Sequence, residues 1–390
     1  MNSSSLFVSP VLIVRDILIL LPRLLGACLR VGLGRLFRKP SHRLHEFTTV
    51  AWLAEWLNLD PELIDSASIE AVHSGTASRS RLHIRYAEHL RELPGPASLF
   101  IKSTPLDFGS RLFGVLFNLG GNEVSFYRHI RRDLPVKSPQ VVYCEGDSND
   151  YVMLLEDLTD KGCQFRDLTT KCTFEEATSV VTTLARMHAK FWQSQRFDTD
   201  LAWVNCFETN RDFRLLNLVR QLSVPIACKK FGHALSSDII NVIPHLMKNY
   251  LQLEEQWAQE PRTLIHGDAH LGNMYFQDGD AGLLDWQVSQ RGQGMRDVAY
   301  FLINSMSEEL RLAHQKQLIE HYLATLQRFG VSFDFDTAWR QYRLQSVYAW
   351  IAAIVTAPSN FQPEKVVIAG LTRASKAVVD LDAIELIREL

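Results

Sequence analysis

LIHGDAHLGNMYFQDGDAGLLDWQ, residues 264–287, places three oxygen-bearing side chains at a telling spacing. Asp268 and Asn273 stand five positions apart in a loop after a short apolar strand. Asp278-Gly279 then marks a hairpin turn, because both positions tolerate positive φ. Strands over 274–276 and 282–285 flank it, so Asp285 is expected to end the second strand and to lie near Asn273. Magnesium takes hard oxygen ligands, and an Asp with an Asn supplies one charged and one neutral. A separate carboxylate is needed to orient an attacking hydroxyl and accept its proton. One segment therefore offers the parts of a phosphoryl-transfer site.

The surrounding pattern is consistent with that chemistry. Upstream, short segments rich in β-branched and aromatic residues, bounded by Gly, Pro or Ser, predict strands over 69–73, 81–86, 98–102, 140–143 and 151–156. Helices are expected over 47–57 and around 122–131. From Phe174 the pattern turns helical, with Val180, Leu184, Met187 and Phe191 at helix spacing. Long helical segments resume from Arg296. The fold class is thus α+β, a β-rich N-terminal lobe followed by a mainly helical C-terminal lobe.

HGDAHLGN followed by LLDWQ resembles the aminoglycoside phosphotransferase and choline kinase superfamily, which has the bilobal protein-kinase-like fold. LARMHAKFW (184–192), and NEVSFYRHI (122–130) paired with FIKS (100–103), resemble its ecdysteroid-kinase-like branch. The resemblance covers roughly Phe47 to the C-terminus. It implies a transferase that moves the γ-phosphoryl group of ATP to a hydroxyl of a small molecule, with Mg2+ as cofactor. Asp268 would be the catalytic base, and Asn273 and Asp285 the metal ligands. Lys102 would hold the α- and β-phosphates, with Glu123 fixing its reach. Backbone near Glu156 to Leu158 would hydrogen-bond adenine. The domains implied are 1–44, a basic apolar extension; 45–158, nucleotide-binding; and 159–390, carrying the catalytic loop and substrate pocket.

The phosphate loop departs from the protein-kinase pattern. HSGTASRSR (73–81) holds one glycine, Gly75, although its small residues still allow backbone to approach phosphate closely. This departure is the one feature that speaks for a catalytically silent binding module. A protein kinase fits less well, since no Ala-Pro-Glu follows and only 288–295 separate Asp285-Trp286-Gln287 from the next helix. His188 is expected to be buried and hydrogen-bonded. Asp297 reads as a helix N-terminal acid, while the family resemblance implies a brace for the catalytic loop, and the two readings are compatible. His270 would either brace that loop or take no part.

Composition bounds the rest. In 390 residues, 46% are hydrophobic and 22% charged, which predicts a folded protein of two lobes. The net charge of −3 gives no basic surplus for nucleic acid. Six cysteines without a C-x-x-C pair read as reduced residues of a cytoplasmic protein. Residues 6–39 are apolar and basic, with Asp16 the only acid. Two readings stay open for them: peripheral contact with an anionic membrane surface, or packing on the folded body. A lipophilic alcohol such as a sterol is the acceptor this segment and the branch together suggest.

Overall fold

The computed structural model describes residues 10–37, 44, 46–167, 170–209, 212–359 and 363–390. Of the segment 6–39, residues 6–9 and 38–39 lie outside them. The chain forms two compact units. The sheet unit comprises Pro22–Gln164 with Leu283–Val288, and the helical unit Met1–Leu21, Phe165–Gly282 and Ser289–Leu390.

Helix α1 (Pro10–Phe37) leads the chain. Helix α2 (Val50–Leu57) starts after Thr49, whose hydroxyl accepts from the Trp52 N–H at 3.4 Å, and ends at Asn58 in the left-handed region. That cap is why the helix expected from Phe47 begins three residues later, behind a short 3-10 turn. The sheet follows: β1 (Ile64–Ser74), β2 (Ser78–Tyr86) and β3 (Ser98–Ser103), then α3 (Phe108–Leu116) and α4 (Leu119–His129), then β4 (Val141–Gly146) and β5 (Tyr151–Glu156). Its order is β1-β2-β3-β5-β4, antiparallel throughout.

β1 begins five residues before the expected Ile69. It is an edge strand whose residues 65–72 are exposed or half-buried, so it lacks the apolar alternation that announces a strand. β5, a continuous apolar run, is buried from Tyr151 to Leu155. Leu82, Ile84, Leu99, Ile101, Val152 and Leu154 form the core beneath α2.

β6 (Gln164–Phe165) falls at the boundary of the two units, and the helical unit then takes up α5 (Phe174–Phe191), α6 (Phe213–Phe231), α7 (Ser237–Lys248) and α8 (Tyr250–Trp257). It continues with β7 (Thr263–Ile265), β8 (Met274–Gln277), β9 (Asp280–Leu283), β10 (Gln290–Gly292) and α9 (Met295–Ser305), then α10 (Glu308–Arg328), α11 (Phe335–Thr356), α12 (Glu364–Asp380) and α13 (Ala383–Arg388). Thr173 and Glu176 close a capping box at the start of α5, and Val180, Leu184, Met187 and Phe191 form its buried stripe. The β8–β9 turn is the expected one, with Asp278 and Gly279 at φ 56° and 84°. All six cysteines are free thiols, with Cys172 buried. Among the described residues no helix is long and apolar enough to cross a membrane.

Candidate functional site

In the sheet unit, β3 carries Lys102 and α4 carries Glu123, both almost fully buried. The Lys102 ammonium lies 2.9 and 2.7 Å from the two Glu123 carboxylate oxygens and 2.9 Å from Asp285 Oδ1. Arg79 of β2 reaches Asp285 Oδ2 at 3.2 Å. Two cations thus hold the Asp285 carboxylate, one on each oxygen. Burial pushes the Glu123 carboxyl up, against the pull of the Lys102 ammonium.

Asp285 is not the last residue of a strand, as the hairpin pattern implied. β9 ends at Leu283, and Asp285 sits beyond it at φ 64°. The reason lies in its neighbours, which bind the segment to the sheet unit. The Leu283 N–H donates to the Lys137 carbonyl at 2.9 Å. Trp286, fully buried, stacks on Phe126 of α4 with centroids 3.9 Å apart and donates from Nε1 to Ser138 Oγ. Asn122 Nδ2 donates to the Gln287 carbonyl at 3.1 Å. One helix therefore places Glu123 and also grips both residues that follow Asp285.

Gly75 stands at the β1–β2 turn and spends its N–H on the Ala77 carbonyl. The neighbouring Thr76 hydroxyl donates to Gln287 Oε1 at 3.4 Å. After β5, the Glu156 N–H is used by the Gln140 carbonyl. Leu158 follows, buried, and Asp157 between them accepts from Arg81, Ser98 and Thr159.

In the helical unit, the loop after β7 turns at Gly267, φ 83°, a conformation that favours glycine. Asp297 braces this turn: its carboxylate accepts the His266 N–H at 2.6 Å and the Gly267 N–H at 2.9 Å, with His188 Nε2 at 3.2 Å. Asp297 and His188 are wholly buried, and His188 Nδ1 meets the Tyr322 hydroxyl at 2.9 Å. Asp297 is the third residue of α9, so it is both a helix N-terminal acid and the loop's brace. Further along, Ser305 Oγ accepts the Leu271 N–H, and the Tyr348 hydroxyl of α11 donates to the Gly267 carbonyl at 3.2 Å.

This bracing presents Asp268. Asn273 Nδ2 donates to Asp268 Oδ2 at 2.9 Å and to its carbonyl at 3.0 Å. His270 Nδ1 accepts the Gly272 N–H, which leaves the ring hydrogen on Nε2, 3.5 Å from Asp268 Oδ2. Burial works against ionisation of Asp268, but His270, His266 and the Tyr300 hydroxyl outweigh it and hold the carboxyl well below the usual carboxylate range. His270 therefore acts on the loop.

Within the sheet unit the fold brings Lys102, Glu123 and Asp285 together, and within the helical unit Asp268 and Asn273. Tyr300 and Ser305 lie outside the sequence motifs, and Tyr348 reads from sequence only as an aromatic that could line an apolar pocket, not as a partner of the loop. Tyr300 follows Asp297 by one helical turn, a spacing that could have marked it. For Tyr348, in a different helix, the sequence holds no local signal.

A family model described as ecdysteroid kinase-like matches residues 98–330. The chain belongs to the ecdysteroid kinase-like family. Solved structures are similar to it at low identity, and the first of those that follow shares its fold. The GDP complex of aminoglycoside 2'-phosphotransferase-IIIa is 14% identical, with a TM-score of 0.52 over 87% of this chain and 99% of that one. An ethanolamine kinase of Plasmodium vivax is 12% identical, TM-score 0.49, over 89% and 92%. A choline kinase of Streptococcus pneumoniae is 13% identical, TM-score 0.48, over 87% and 100%. No curated protein sequence matches the chain.

Proposed function

We propose that this member of the ecdysteroid kinase-like family transfers the γ-phosphoryl group of ATP to a hydroxyl of a small molecule, with Mg2+. The observation that carries this is the Lys102 ammonium held by Glu123 and Asp285. A buried lysine whose charge is fixed in place can hold phosphate oxygens without reorganising. Residues 45–158 form the nucleotide-binding part on this reading, and 159–390 contribute the catalytic loop and the acceptor pocket.

The donor set suits magnesium. Asp285 supplies a carboxylate. Asn273 donates both its bonds from Nδ2, which turns Oδ1 away from Asp268. Among the described residues no cluster of three or more His, Cys, Asp or Glu side chains offers an all-protein cage. Magnesium needs none, since one or two carboxylates with phosphate and water complete its shell. When bound, it would offset phosphate charge.

The remaining work falls to the chain's own groups. Asp268, kept ionised by His270 and Tyr300, orients the acceptor hydroxyl and receives its proton as the oxygen attacks. Asp297 fixes the turn on which Asp268 stands. Lys102 and Arg79 bind phosphate oxygens. Backbone groups at Glu156–Leu158 receive adenine, with Leu158 rather than Glu156 offering its N–H. The family's description and the apolar N-terminal helix support a lipophilic alcohol such as a sterol as the acceptor on this reading.

The test is a phosphorylation screen with ATP and Mg2+ over sterols, polyols, amino alcohols and aminoglycosides, comparing the wild type with Asp268→Asn. Acceptor-dependent phosphorylated product from the wild type alone supports the assignment. Nucleotide binding without turnover on any acceptor class would instead identify a silent binding module.

A further inference from the structure

Helix α1 exposes a long apolar stripe. Val14, Leu18, Leu21, Leu25, Leu29 and Leu33 are 42–63% exposed. At ~100° per residue they fall within an arc of about 120°, and they extend about 29 Å along the helix. The opposite side is anchored. Asp16, 3% exposed, pairs with Arg214 at 3.0 Å. Ala27 and Val31 pack with Val115, and Arg23 donates to the Leu116 carbonyl at 2.7 Å. So the helix is fixed by one face and leaves the other, more apolar face uncovered. Contiguous exposed apolar surface of this kind marks an interaction site.

The charges select the occupant. Arg30 stands exposed beyond one edge of the stripe and Arg15 stands exposed at that edge, where it pairs with Asp16 Oδ1 at 3.2 Å, while Asp16, the only acid of the helix, is itself turned inward. Two copies packed through this face would bring like charges together. An anionic bilayer surface complements both the cations and the leucines. The helix is not apolar enough to span. We propose that α1 lies in the plane of an anionic membrane surface, with the leucine stripe in the headgroup–acyl boundary and Arg15 and Arg30 on lipid phosphates. Both open readings of the N-terminal segment then hold at once, one for each face.

The test is flotation of the full chain with vesicles of phosphatidylcholine alone and of phosphatidylcholine with about a third phosphatidylserine. The wild type should float with the anionic vesicles. Leu18→Glu/Leu25→Glu/Leu29→Glu should weaken binding on the order of 100-fold, because three exposed leucines lose their transfer into the boundary. Arg15→Gln/Arg30→Gln should erase the preference for anionic lipid. Unchanged far-UV circular dichroism shows that the fold survives; if the triple variant misfolds, Leu25→Ala/Leu29→Ala provides the same comparison. Equal binding by wild type and leucine variants would overturn the proposal. So would a wild type that ignores vesicles, including one whose light scattering shows a dimer that the leucine variant dissolves.

Discussion

Replacing Asp297 with asparagine should loosen the loop that carries Asp268 while leaving every proposed ligand-contacting residue in place. The wild-type carboxylate accepts three bonds: from the His266 N–H at 2.6 Å, the Gly267 N–H at 2.9 Å and His188 at 3.2 Å. Asparagine has one acceptor oxygen. Its amide must face either the Gly267 N–H or the pair formed by His266 and His188. In the milder orientation one buried N–H is orphaned, at about 1–3 kcal/mol. The bonds that remain change from charge-assisted to neutral, which roughly halves their strength. The total is about 2–4 kcal/mol at a site with no exposure. Urea unfolding followed by tryptophan fluorescence should show this as a lower midpoint with an unchanged slope. Turnover should fall further than nucleotide affinity, because Asp297 positions the base. A loss under ~1 kcal/mol with full turnover would refute the bracing role.

Lys102→Ala should abolish nucleotide binding and also cost about 3–5 kcal/mol of stability, since it strips a buried partner from Glu123; binding calorimetry and urea unfolding check the two effects. Gly120→Ala should cost about 1–3 kcal/mol and lower nucleotide affinity, because the new methyl would meet the Tyr151 ring at 2.2 Å and push α4, with Glu123, away from Lys102. For Asp157, burial raises the carboxyl, but hydrogen bonds from Thr159, Ser98 and Arg81 outweigh it and leave it below its ordinary value. A depressed carboxyl stabilises above its unfolded value near ~4 and loses that contribution as pH falls through its folded value. Asp157→Asn should therefore destabilise at pH ~7 and converge on the wild type in acid, as urea midpoints across that range will show.

Much of this molecule was legible because local rules agree with the tertiary outcome. β5 reads as a strand and is one, residue for residue, since a continuous apolar run between turns suits a strand buried on both faces. The stripe on α5 and the Asp278-Gly279 turn follow from period and φ alone. The family motifs point to Lys102, Glu123 and Asp285, and their meeting within one unit is a tertiary fact. The error at Asp285 is instructive. A hairpin pattern extends both strands symmetrically, but Trp286 stacking on Phe126 draws the chain out of the ladder two residues early. β1 extends beyond its expected span because an edge strand with solvent on much of its surface carries little apolar alternation. Tyr348 was invisible as a loop partner because nothing near it in sequence refers to Gly267, 81 positions away.

The most direct measurement is calorimetric titration of Mg2+-ATP into the wild type and Asp285→Asn, repeated with EDTA. The Lys102–Glu123–Asp285 grouping predicts saturable binding by the wild type that requires Mg2+ and that the variant weakens by at least ~10-fold, a loss of one charged metal ligand. Binding of equal strength in both proteins, indifferent to EDTA, would contradict it.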